Sequence, residues 1–91
     1  MSYKISFSDN AFEQLEKMKR GDKNSYNKCF ELILAVMTNP RYGIAKPEQL
    51  KHQEIEIWSR RVNEKDRMIY TIYEDMEYVF VNSFLGHYDD H

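Results

Sequence analysis

The chain predicts an α+β fold in which a helical hairpin packs on a mainly antiparallel four-stranded sheet, in the order strand-helix-helix-strand-strand-strand. Three observations predict it. A short alternating run opens the chain, two stretches with helical apolar spacing follow to about residue 39, and three runs rich in β-branched and aromatic residues close it.

Residues 3–8 alternate Tyr3, Ile5 and Phe7 against Lys4 and Ser6, the period-2 pattern of a half-buried strand. Ser8 then stands where a helix needs an N-cap. From Asp9 to about Arg20, Ala11, Phe12, Leu15 and Met18 make one helical stripe, with acidic residues early and Lys17, Lys19 and Arg20 late, as the helix dipole prefers. Gly21 ends this helix. Asp22 caps a longer one to about Asn39, with an apolar stripe of Tyr26, Cys29, Phe30, Ile33, Leu34, Val36 and Met37, and Pro40 stops it. Residues 41–53 lack periodicity, hold Gly43 and Pro47, and read as a loop. The runs 54–62, 67–74 and 77–84 then form a three-stranded meander, joined by Asn63–Asp66 and by Asp75 with Met76. The first strand joins this sheet at its edge or its centre.

A chain of 91 residues, 42% hydrophobic and 14% aromatic, makes one domain over 1–91 with a modest core, often completed by a partner. Multidomain enzymes and large cofactor-binding folds are excluded. One cysteine forms no internal disulfide, and no basic stretch followed by an apolar run opens the chain, so a cytoplasmic protein without a membrane segment is expected. Cys29 falls in the apolar stripe of the second helix and reads as core. The net charge of −2, from 13 basic and 15 acidic residues, conceals a split: +1 over residues 1–40, +2 over 41–70 and −5 over 71–91. The cationic stretch is the one to search for an anion-binding site.

Lys46, Glu48, Lys51 and His52 lie in the loop, Arg60 and Arg61 in the first meander strand, Arg67 at the start of the second, and His87 with Tyr88 after the last. The meander brings Arg61 beside Arg67 across the turn, and the antiparallel last strand brings His87 toward Arg67. A carboxylate, several cations and a histidine at one end of a sheet suit RNA cleavage. A base takes the proton of a ribose 2′-hydroxyl, an acid protonates the leaving 5′-oxygen, and cations hold the charge on phosphate. Taken singly, each arginine also fits an ordinary solvated sheet face, and the strand tyrosines (Tyr70, Tyr73, Tyr78) fit packing as well as base stacking. His87 with His91, or His52 with Glu54, lacks a third and fourth ligand, so no metal site is expected.

Four motifs then follow in order: Lys46-Pro47-Glu48-Gln49-Leu50-Lys51, Trp58-Ser59-Arg60-Arg61-Val62, Arg67-Met68-Ile69-Tyr70 and Gly86-His87-Tyr88. In sequence and spacing they resemble the Txe/YoeB toxins, of the RelE-like superfamily of bacterial toxin–antitoxin systems, over about residues 38–88. The resemblance implies a RelE-like fold and a ribosome-associated endoribonuclease that cuts mRNA in the A site without a cofactor. It also implies silencing by a cognate antitoxin protein, in a toxin homodimer or a toxin–antitoxin hetero-oligomer. By position, Glu48 corresponds to the general base, Arg67 to the transition-state stabiliser and His87 to the general acid. Tyr88 corresponds to a stacking or positioning residue, and Lys51 and Arg61 to phosphate contacts. Gln49 replaces the family's second proline and Glu56 a usual glycine, so Glu54 and Glu56 are expected to bring negative charge close to the phosphate site. Two alternatives from the same superfamily remain: a non-catalytic ParE-like protein that acts by protein contact, and a catalytically impaired toxin kept as an antitoxin-binding partner.

Overall fold

A computed structural model describes residues 2–52 and 54–86 of the chain. The elements run β1 (Lys4–Phe7), α1 (Asp9–Gly21), α2 (Lys23–Thr38), β2 (Glu48–His52), β3 (Glu56–Arg61), β4 (Arg67–Tyr73), a single 3-10 turn (Glu74–Met76) and β5 (Tyr78–Ser83). The α+β class and the element order are as expected, but the sheet has five strands, in the order β1-β5-β4-β3-β2. β1 takes the edge position and runs parallel to β5, while the other neighbours are antiparallel.

The fifth strand is β2, within the stretch that reads as a loop. Its sequence, EQLKH, has one apolar residue and no β-branched one, so neither period nor propensity marks it. It is a strand because its backbone pairs with β3, from Glu48 opposite Ser59 to His52 opposite Glu56, with an irregularity between Gln49 and Lys51. An edge strand is satisfied by hydrogen bonds on one side, and a polar, interrupted edge also resists pairing with other chains.

Both helices are capped where the residues allow it. The Ser8 side chain accepts from the Ala11 amide at 2.9 Å and the Asp22 carboxylate from the Ser25 amide at 3.2 Å. Asp22 also closes α1, its amide donating to the Met18 carbonyl at 2.7 Å, so one residue joins the helices. α1 buries Ala11, Leu15 and Met18, and α2 buries Ser25, Cys29, Leu32, Ile33 and Val36. The buried stripe of α2 is narrower than the sequence suggests. Phe30 and Leu34, with Phe12 of α1, are exposed, whereas Leu32 is fully buried, because positions 25, 29, 32, 33 and 36 share the helix face toward the sheet. Burying a leucine of this kind contributes about 1.5–3 kcal/mol.

Side chains of the central strands alternate between two sides of the sheet. Trp58, Met68, Tyr70, Ile72, Val79 and Val81 meet the helices in one cluster. The opposite side carries Arg61, exposed, and Arg67, half-buried, with Ser59, Ile69 and Thr71 buried beneath them. Among the described residues no helix is long and apolar enough to cross a membrane.

Candidate functional site on the open sheet face

The open face gathers residues from three strands. Arg61 and Arg67 are direct partners across β3 and β4, Glu48 stands opposite Ser59 across β2 and β3, and Lys51 stands one step further along, opposite Ile57. Direct partners project to the same side of a sheet, so all four charged residues share this face. The Arg67 guanidinium is held in plane by neutral oxygens. Its Nε donates to Ser59 Oγ at 2.8 Å and its Nη2 to the Lys46 carbonyl at 2.7 Å. Ser59 thus links the two ends of the site, as strand partner of Glu48 and hydrogen-bond acceptor for Arg67. One strand separates β2 from β4, about 10 Å between backbones, which leaves room for one phosphodiester and its ribose.

The segment that carries Lys46 and Glu48 is fixed from beneath by Arg60. The expectation of a solvated face is wrong for this arginine, which is fully buried. Its Nε donates to the Tyr70 hydroxyl at 3.2 Å and its Nη1 to the Ile44 carbonyl at 3.3 Å. Its Nη2 donates to the carbonyls of Asn39 at 2.6 Å and Tyr42 at 2.9 Å, and the Tyr70 hydroxyl donates in turn to the Pro40 carbonyl at 2.6 Å. A buried charge this well supplied with oxygens stands without a carboxylate. The loop wraps tightly enough to place Gly43, Ala45 and Lys46 at positive φ. A Cβ at Gly43 would stand 3.1 Å from Arg60 Nη1, so this position requires glycine on two counts. The sequence did hold a signal for Arg60: it shares the parity of Trp58 and Val62, the helix-facing side of β3.

The C-terminal approach is also built. Asp66 is buried in the β3–β4 turn, where its Oδ1 accepts from the Gly86 amide at 2.9 Å and its Oδ2 from Asn63 Nδ2 at 3.1 Å. The Arg67 amide donates to the Gly86 carbonyl at 3.2 Å. Gln14 of α1 adds to this, its Oε1 accepting from the amides of Phe84 at 2.7 Å and Leu85 at 3.2 Å. The chain therefore reaches Gly86 at the backbone of Arg67, as the meander predicts. His87, Tyr88 and His91, with the side chain of His52, lie outside the described residues. The roles of Asp66 and Gln14 in holding residues 84–86 escape sequence reasoning because the amides they bind are remote in sequence.

Glu56 lies at the Lys51 end of β3, next to Ile57, and not beside Arg61 and Arg67. Glu56 pairs with Ile72, five residues along β3 from Arg61, about 17 Å at strand spacing, and its side chain lies on the helix-facing side. There it accepts from Arg41 (Nε to Oε2, 2.7 Å; Nη2 to Oε1, 2.8 Å) and from Trp58 Nε1 at 2.8 Å. Arg41 also pairs with Glu74 at 2.9 Å, and Glu74 accepts from the Tyr3 hydroxyl at 2.7 Å. The Arg41 guanidinium holds the Glu56 carboxyl below its usual range, and the hydrogen bonds of Tyr3 and Arg41 do the same for Glu74. Glu54 and Glu56 line a cleft of about 520 Å³ with Tyr73, Glu74, Asp75 and Met76. Cys29, deep in the helical layer, has its thiol pushed up to about 12 by burial. Among the described residues no group of three His, Cys, Asp or Glu is arranged to hold a metal ion.

The open face therefore offers two guanidinium groups for an anion and a carboxylate one strand away to take a proton. Comparison with known proteins finds similar sequences and similar folds. The family model for the YoeB-like toxin of bacterial type II toxin–antitoxin systems matches residues 7–88. Toxin YoeB of Synechocystis sp. is 36% identical over 69 residues, 76% of this chain and 80% of that protein. The YoeB dimer from Staphylococcus aureus superposes with a TM-score of 0.82 at 32% identity, covering 97% of this chain and 100% of that one. The heterotetrameric YoeB–YefM toxin–antitoxin complex from the same organism gives 0.77 at 32% identity, with the same coverage.

Proposed function

The chain belongs to the YoeB-like toxins of bacterial type II toxin–antitoxin systems, and we propose that it acts as an endoribonuclease that cuts mRNA in the ribosomal A site. Glu48 takes the proton of a ribose 2′-hydroxyl, whose oxygen attacks the adjacent phosphorus. Arg67 holds the charge that develops on the phosphoryl oxygens, and His87 protonates the departing 5′-oxygen. The products are a 2′,3′-cyclic phosphate and a free 5′-hydroxyl. Lys51 and Arg61 contact the flanking phosphates, and Tyr88 stacks on or positions a base. An internal nucleophile restricts the reaction to RNA and asks for no metal or cofactor.

One observation above all supports this reading. The Arg67 guanidinium is oriented on the open face by two neutral oxygens, with Glu48 one strand away, so its full charge faces the space where a phosphodiester fits. The net charge of −2 gives little steering, so the protein binds free RNA weakly and relies on the ribosome for positioning. Its partner is a cognate antitoxin, in an assembly comparable to the Staphylococcus aureus heterotetramer or as a toxin homodimer, in the cytoplasm.

The test is to supply the purified chain to translating ribosomes and map mRNA ends. New cuts with the wild type, strongly reduced in Glu48→Ala and His87→Ala, are the expected result. Equal patterns with and without the wild-type chain would sink the proposal.

A further inference from the structure

We propose that Arg60 is a positioning residue for the site on the open face, acting from the opposite side of the sheet through the backbone of residues 39–46. This rests on the nuclease reading of Arg67 and deepens it. A single buried guanidinium gathers the carbonyls of Asn39, Tyr42 and Ile44 and, through Tyr70, that of Pro40. With those carbonyls fixed, the chain emerges through the positive-φ residues Ala45 and Lys46 on a set path. The Ala45 carbonyl then accepts from the Arg61 amide at 2.7 Å, and the Lys46 carbonyl accepts from Arg67 Nη2 at 2.7 Å. Glu48 follows two residues later, opposite Ser59. Arg60 therefore holds a carbonyl, that of Ile44, two residues before the one that orients Arg67, although the sheet separates the two guanidinium groups.

Core packing alone does not account for this residue. An apolar side chain would fill the same volume, but it would leave the 39–46 carbonyls without their donors, and a lysine ammonium lacks the planar fork that spans them. A positioning shell of this kind governs how often the site is correctly formed, which is read in turnover rather than in substrate affinity.

The experiment compares the wild type with Arg60→Lys and Tyr70→Phe in ribosome-dependent mRNA cleavage. In parallel, the side-chain Nε–H signal of Arg67 is followed by NMR, with thermal unfolding as a check on folding. For Arg60→Lys the expected result is a fall in kcat of tenfold or more with KM within about twofold, and an Arg67 Nε–H signal that is shifted or exchanges faster with solvent. Tyr70→Phe, which retains the arginine, shows the same changes at smaller amplitude and serves as the folded variant should Arg60→Lys not fold. A folded variant with unchanged kcat and an unchanged Arg67 signal would overturn the proposal. If the wild type cleaves nothing, the nuclease reading fails by itself, and the Arg67 signal still decides whether Arg60 positions that side chain.

Discussion

The two ends of the β3–β4 hairpin both carry clustered charge, and they use it differently. At the end formed by Glu56 and the turn after Tyr73, Arg41 bridges Glu56 and Glu74, so opposite charges satisfy each other. At the other end, Arg61 and Arg67 sit side by side, and among the described residues neither is ion-paired; Arg67 is held by a hydroxyl and a carbonyl instead. Neutral acceptors fix a guanidinium without cancelling its charge, whereas carboxylates do both. The first end is thereby a brace between Tyr3, just ahead of β1, the loop after α2 and the sheet, and the second keeps net positive charge for an anion. Charge density alone does not distinguish them.

The predictions test that contrast, and the largest effect is expected at the unpaired end. Arg67→Ala should lower kcat for mRNA cleavage by a factor of about 10² to 10³, or ~3–4 kcal/mol of transition-state stabilisation, with a smaller change in KM, in single-turnover assays on programmed ribosomes. Equal losses in binding and turnover would reduce Arg67 to an affinity contact. Arg60→Met should destabilise the fold by about 2–4 kcal/mol in urea unfolding, because several buried carbonyls lose their donor at once.

At the paired end the effects should appear in stability and leave cleavage unchanged. Glu56→Gln should cost about 1 kcal/mol at pH 7, since the pair is only about one-quarter exposed. The sign follows from the depressed folded value. The contribution is present above the ordinary glutamate value near 4.5 and disappears as pH falls through the lower folded value, so wild type and variant should converge in strongly acid solution. If Glu56→Gly instead raises cleavage, the two ends are coupled and the contrast breaks. Cys29 gives the smallest effect and an internal control. Its thiol is raised to about 12 in the folded chain against 9.0 without burial, so the fold binds the proton more tightly. That contribution is complete below pH 9 and declines as pH rises toward 12. By pH 9.5 it should have cost the wild type on the order of 1 kcal/mol or less relative to Cys29→Ala, each corrected to its own stability at pH 7.

Much of this was legible from the residues. Ser8 and Asp22 cap their helices as local rules require, because the partner amide lies three residues away. The meander was legible from its turns, and with it the pairing of Arg61 with Arg67. β2 was not, because a polar edge strand is created by its neighbour's hydrogen bonds and not by its own composition. Nor was the capture of Glu56 by Arg41, since the two lie 15 residues apart in sequence and only folding brings them together.

Sequence by itself determined the α+β class, the helical hairpin, the meander and the family, since each rests on local periodicity, turn chemistry or ordered motifs. Strand parity marks which of two adjacent arginines turns toward the helices, but only the tertiary structure decided that it is fully buried there. Arg60 and Arg61 are the same residue type in the same motif, but strand alternation sends one beneath the sheet to four oxygens and the other to the open face. The oxygens that make burial of Arg60 tolerable come from residues 10 to 21 positions away, and only folding brings them together.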